Sequence, residues 1–189
     1  MKKFEIKTKK KISLLTITLV AFVYLTAFTN ATFNNSDTDT KQSTKEIGPE
    51  DWADFKSWFK ITKEPNTGDP TGFLDKKHRG EGAYRDVYVN SVGESLMRGN
   101  GSFPYPEGTV IVKEAFKDKK SYDAQKKPEL TIMVKQATGT APDTNDWMFV
   151  MGASGKAKGT GMDSKWGKFC GSCHVNAMAK DFTFMAADR

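Results

Sequence analysis

Gly108-Thr109-Val110-Ile111-Val112-Lys113-Glu114-Ala115-Phe116 sets the architecture. Its run of β-branched residues is stiff in a helix and fits the pleated surface of a sheet, and Gly108 punctuates its start. Three more stretches read the same way, at residues 83–90, 130–137 and 146–152. Between the first two strands, residues 91–97 read as a short helix. Ahead of them, Pro49 suits a first helical position, Glu50 and Asp51 complement the positive end of a helix dipole, and Trp52, Phe55 and Phe59 recur at helical spacing. An opening helix with an aromatic core face is therefore expected, followed by a loop over residues 65–72. The middle of the chain is mostly β.

The chemistry lies further on, in Cys170-Gly171-Ser172-Cys173-His174. This CxxCH spacing is the attachment signature of a c-type haem, with Cys170 and Cys173 forming thioethers and His174 giving its imidazole to iron. A structural zinc site needs four protein ligands. Outside the motif the chain has no cysteine and only one histidine, His78. A thioredoxin-like pair should follow a strand that opens a βαβ unit, but the approach to this motif is rich in Gly and Lys. Around the motif the chain should curl into a helix, so that both sulfurs meet one edge of the ring.

Only fifteen residues follow His174. Met178 lies about one helical turn away, on the side of the ring that His174 occupies, and Met185 has little chain with which to cross the ring's edge. Four-helix cytochromes carry the motif near the C-terminus, but the β-rich middle contradicts a bundle. A mostly β domain with a five-coordinate haem is the economical expectation, and iron with one open position binds small molecules.

Lys2, Lys3, Lys7, Lys9, Lys10 and Lys11 precede an uncharged apolar run at residues 12–28, so residues 1–31 read as a signal peptide or an N-terminal membrane anchor. Either places the remainder in the periplasm or otherwise outside the cytoplasm, with no other contact with the membrane. The leader also holds six of the lysines and one glutamate, leaving 23 basic against 22 acidic residues beyond it. That near-neutral body excludes a polyanion-binding domain, so no nucleic-acid partner is expected. Residues 32–47 are polar and poor in groups to bury, as in a flexible linker. Residues 48–189 are then long enough for one domain with its own core.

The order and spacing of several segments resemble the cytochrome P-460 family and its relative cytochrome c′-beta. They are the opening segment at 52–62, Tyr84-Arg85-Asp86-Val87-Tyr88-Val89-Asn90, Tyr105-Pro106-Glu107 running into the strand quoted first, Asn145-Asp146-Trp147-Met148-Phe149, the haem motif, and Asp181-Phe182-Thr183-Phe184. The resemblance implies an α+β fold, mostly an antiparallel β-sheet with a few helices packed on a c-type haem, over residues 48–189. It implies that Lys113 is covalently joined to a meso carbon of the haem, and that Arg85 lies on the open side of the ring.

Elementary chemistry suits both roles. Thr109, Ile111, Lys113 and Ala115 share one strand face, and a lysine packed on a porphyrin would be desolvated toward its nucleophilic neutral form. Arg85 would hydrogen-bond a ligand there; its alternative is a surface pair with Asp86 or Glu81. His78, the only other imidazole, is conceivable as a distal ligand or proton carrier, but flanked by Lys76, Lys77 and Arg79 it is expected to be exposed. Asp86 and Glu114 fall on the strand faces opposite Arg85 and Lys113, so no general base is assigned.

The implied activity is oxidation of hydroxylamine or conversion of nitric oxide, with electrons passing to a redox partner cytochrome. The alternative is a cytochrome c′-beta-type protein that holds nitric oxide without turnover. The resemblance also implies a homodimer.

Overall fold

The computed structural model describes residues 47–65, 68–69, 71–72, 74–152 and 164–184. The expected leader at 1–31 lies outside the described residues, as does the linker apart from Ile47. Among the described residues no helix is long and apolar enough to cross a membrane.

Strands β1 (Phe59–Lys60), β2 (Tyr84–Val89), β3 (Val110–Phe116), β4 (Glu129–Lys135) and β5 (Trp147–Met151) form one sheet in chain order, each pair antiparallel. Helix α1 (Ser91–Met97) joins β2 to β3, and α2 (Lys119–Asp123) joins β3 to β4. The fold is thus α+β and antiparallel, as the sequence led us to expect. Because no strand pair is parallel, the haem-type motif follows no βαβ unit among the described residues.

Strand ends shift from expectation by one or two residues, for local reasons. Asn90 leaves β2 to cap α1: its side chain accepts from Gly93 N at 3.3 Å and Val110 N at 3.1 Å and donates to the Gly108 carbonyl at 2.8 Å. Asp146 (φ 62) and Gly152 (φ 87) turn the chain at the two ends of β5. Gly93 lets α1 press onto the sheet, since a Cβ there would sit 2.4 Å from Thr109 Cγ2 and 2.9 Å from Val89 Cγ2. Gly93→Ala is expected to lower stability by about 1–3 kcal/mol through this overpacking. Denaturant unfolding measures it, and an unchanged midpoint would contradict the close approach.

The opening helix is not observed. Pro49–Trp52 and Phe55–Ser57 are separate 3-10 turns, Trp58 is extended (ψ 172), and Phe59 enters β1 opposite Val89. The physical reason is that the aromatic residues serve two cores. Trp52 and Phe55 pack on one face of the sheet with Tyr88, Val112 and Ile132, whereas Phe59 packs with the cluster on the other face. A single helical stripe cannot reach both sides of a sheet, so helix-like spacing is resolved into two turns and a strand.

Sheet register separates two chemistries. Val89, Ile111, Met133 and Phe149 align across β2–β5, as do Val87, Lys113, Thr131 and Met151, and these rows share one face. Asp86, Tyr88, Val112, Glu114 and Ile132 occupy the other. The C-terminal segment lies on the Lys113 face, where Cys170 and Phe182 join the core cluster. It curls as expected: Gly167–Gly171 is a π-helical turn, Ser172–His174 is α-helical, and Val175–Lys180 winds as 3-10. Such π turns are short departures from α geometry that recur at functional sites.

Candidate functional site

A cavity of about 590 Å³ opens between the Lys113 face of the sheet and the C-terminal segment. The sheet contributes Val87, Ile111, Lys113, Thr131, Met133 and Phe149, and the C-terminal segment contributes Cys170, His174, Thr183 and Phe184. His78 and Met97 complete the wall. Residues 87 apart in sequence, Val87 and His174, thus face one space.

His174 is oriented before any cofactor is considered. Its Nδ1–H donates to the Phe182 carbonyl at 2.7 Å, which leaves Nε2 as the nitrogen with a lone pair. Phe149 and Phe184 meet the ring edge to face, at centroid separations of 5.2 and 5.3 Å. Burial pushes the imidazole down to about 4, with Lys113 adding to the shift and the Phe182 bond opposing it. A neutral, fixed imidazole whose second nitrogen is hydrogen-bonded to a carbonyl is the usual form of a histidine metal ligand. Cys170 is buried and Cys173 partly so, and neither is in a disulfide. Burial raises the Cys170 thiol to about 11.

Phe182 is itself anchored. It follows Asp181, whose carboxylate is buried against Lys135 Nζ at 2.9 Å and accepts from Tyr105 N at 2.7 Å and from Asn145 Nδ2. Trp147 Nε1 donates to the Asp181 carbonyl at 2.9 Å. This network ties the segment carrying His174 to β4 and β5.

Lys113 lines the cavity as strand alternation requires. Burial pushes its amine down to about 8, with the Arg85 cation acting in the same direction and the two thiols opposing. A sizeable fraction is therefore the neutral nucleophile near pH 8, where an ordinary lysine is almost wholly charged. Arg85 shares this sheet face but is not on the cavity wall. It is 5% exposed, and its guanidinium donates to the carbonyls of Gly80 and of Gly68, the latter at 3.2 Å, leaving Nε buried without a partner. The surface pair with Asp86 does not form. Asp86 lies on the other face with Lys60 Nζ at 3.3 Å and the Tyr122 hydroxyl at 3.0 Å.

His78 overturns an expectation. Its neighbours Lys76 and Arg79 are exposed, as their charge requires, but His78 has φ 49 and ψ 39, and this left-handed turn places the imidazole on the cavity wall. Charge pattern hid it, because only backbone conformation separates His78 from the solvated residues around it. Met97 and Met133 were also missed as cavity residues. Met97 looked like a helix terminus, and Met133 needs the register to Ile111 and Phe149 to be placed. The Met97 sulfur accepts from the Tyr105 hydroxyl at 3.3 Å.

Met178 is 60% exposed, consistent with its exclusion as an iron ligand; Met185 lies outside the described residues. Among the described residues no carboxylate lines the cavity: Glu81 is exposed and Glu114, on the far face, pairs with Lys56.

The donor set fits a haem. The Cys170 thiol and an oriented imidazole border a mostly apolar space, the partly buried Cys173 lies beside His174 in the chain, and no group of three or more His, Cys, Asp and Glu that would suit a bare metal ion is found among the described residues. A family model described as Cytochrome P460 matches residues 52–185, which take in all five strands and the CxxCH motif. No curated protein matches the chain.

Proposed function

The chain belongs to the cytochrome P460 family, and from that premise we propose that it is an exported haem c oxidoreductase that oxidises hydroxylamine and passes the electrons to another cytochrome. The observation carrying this reading is the placement of Lys113 on one cavity wall and of Cys170 and His174 on the facing one. Family membership makes haem the cofactor. When bound, it supplies a one-electron redox couple and an open coordination position for a small nitrogenous ligand.

The side chains then divide the work. Cys170 and Cys173 hold the haem by thioethers, and His174 offers Nε2 to iron while its Nδ1–H stays on Phe182. Lys113, desolvated and partly neutral on the facing wall, would hold the ring at a third point. Apolar side chains such as Met133 and Phe149 exclude bulk water, which strengthens every polar contact inside. The Arg85 guanidinium, just behind the wall, makes the region favourable for an electron-rich ligand.

The same apolar lining supports a second reading, a cytochrome c′-beta-type protein that retains nitric oxide without turnover. Steady-state assay of holo-protein with hydroxylamine and an artificial electron acceptor separates the two. The first reading expects sustained acceptor reduction; tight nitric oxide binding with no reduction would establish the second.

A further inference from the structure

We propose that His78 is a ligand-recognition residue of the haem site: its imidazole hydrogen-bonds the small molecule bound at the iron and is not itself an iron ligand. The proposal rests on the haem reading above.

Three independent observations converge on this ring. The first is conformational. His78 and Arg79 are consecutive left-handed residues, φ 49 and φ 65, a backbone state that is uncommon outside glycine. The Lys77–Arg79 turn packs against β3, the strand that carries Lys113. This turn brings an imidazole to the cavity.

The second is hydrogen bonding. His78 Nδ1 is shut off from solvent and has no partner among the described residues. An orphaned buried polar atom is destabilising and calls for an explanation in a native protein. No group among the described residues answers it, whereas a bound molecule with a polar end would satisfy the ring.

The third is electrostatic. The charged and titratable groups bearing on His78 are Lys113, His174, Arg85 and Lys77, with no carboxylate among them. Burial first, then these basic groups, push the imidazole down to about 2. It is accordingly neutral, with one N–H to donate and one lone pair to accept. A small anionic or strongly dipolar nitrogen ligand matches such a corner, and a cation does not.

The test compares holo-protein with His78→Leu, His78→Gln and the surface control Arg79→Ala. Cyanide affinity is measured on the ferric form and the C–O stretching frequency of the carbon monoxide adduct on the ferrous form. His78→Leu should weaken cyanide by about tenfold, the effect of one lost hydrogen bond of ordinary strength, and should shift the C–O stretch. His78→Gln should recover most of both, and Arg79→Ala should change neither.

Unchanged affinity and stretch in His78→Leu would overturn the proposal. So would a wild-type ferric electron paramagnetic resonance spectrum of low-spin bis-imidazole type that turns high-spin in both His78 variants, since His78 would then be the second iron ligand. A wild-type protein that incorporates no haem would instead overturn the reading beneath the proposal. If His78→Leu does not fold, equal wild-type and His78→Gln behaviour set against a shifted His78→Phe still supports contact, and three identical proteins refute it.

Discussion

Asp181→Ala is expected to destabilise the protein by about 3–5 kcal/mol, the range for removing one partner of a buried ion pair. Lys135 and Asp181 are 5% and 2% exposed, and Lys135 Nζ lies 2.9 Å from one Asp181 oxygen and 3.0 Å from the other. Without the carboxylate, a buried ammonium keeps only the Asn145 carbonyl at 2.6 Å and the Trp147 ring, 5.1 Å from its centroid. Tyr105 N loses its acceptor as well.

The damage should extend to the imidazole, because Phe182, which fixes His174, is the next residue along. Denaturant unfolding of the holo-protein measures the loss. A change below about 1 kcal/mol would show that the network is not structural. Replacing both partners, as in Asp181→Asn with Lys135→Met, should recover part of the stability, since no charge is then left alone.

Lys113→Met should act in the opposite sense on the fold and more strongly on the chemistry. In the haem-free protein, where Lys113 is a free amine whose titration burial pushes down, the amine opposes folding wherever it must be charged, so an apolar chain of similar length should leave the stability of that form equal or higher. The Soret band of the ferrous protein, displaced by a third covalent link to the ring, should revert to an ordinary c-type position. Hydroxylamine turnover should fall by a factor on the order of 10–100, the range for losing a group that tunes a metal from outside its direct ligands. A spectrum and rate unchanged by the substitution would remove Lys113 from the mechanism.

Much of this site is visible in the sequence because its signals are local. CxxCH carries its meaning within five residues, and the β-branched run around Lys113 fixes both strand identity and the face on which the lysine stands. What the sequence hides depends on pairing and on backbone sign. Thr131 and Met133 reach the cavity only through their register to Lys113 and Ile111, and no local pattern encodes register. His78 is turned inward by one left-handed residue among charged neighbours. Arg85 shares the face of Lys113, as alternation dictates, yet the carbonyls of Gly68 and Gly80 hold its guanidinium behind the wall. The opening helix fails for a related reason: Trp52 and Phe59 belong to different sides of the sheet, a separation that helical periodicity cannot express.

The central claim is that the cavity holds a haem tied covalently to both of its walls. Protein produced in a host with c-type maturation machinery, digested under denaturing conditions, would be examined by mass spectrometry for peptides that carry haem. The account predicts one species in which a single haem joins the peptide containing Cys170 and Cys173 to the peptide containing Lys113. Haem that is extracted by acid, leaving both cysteines and Lys113 unmodified, would contradict it.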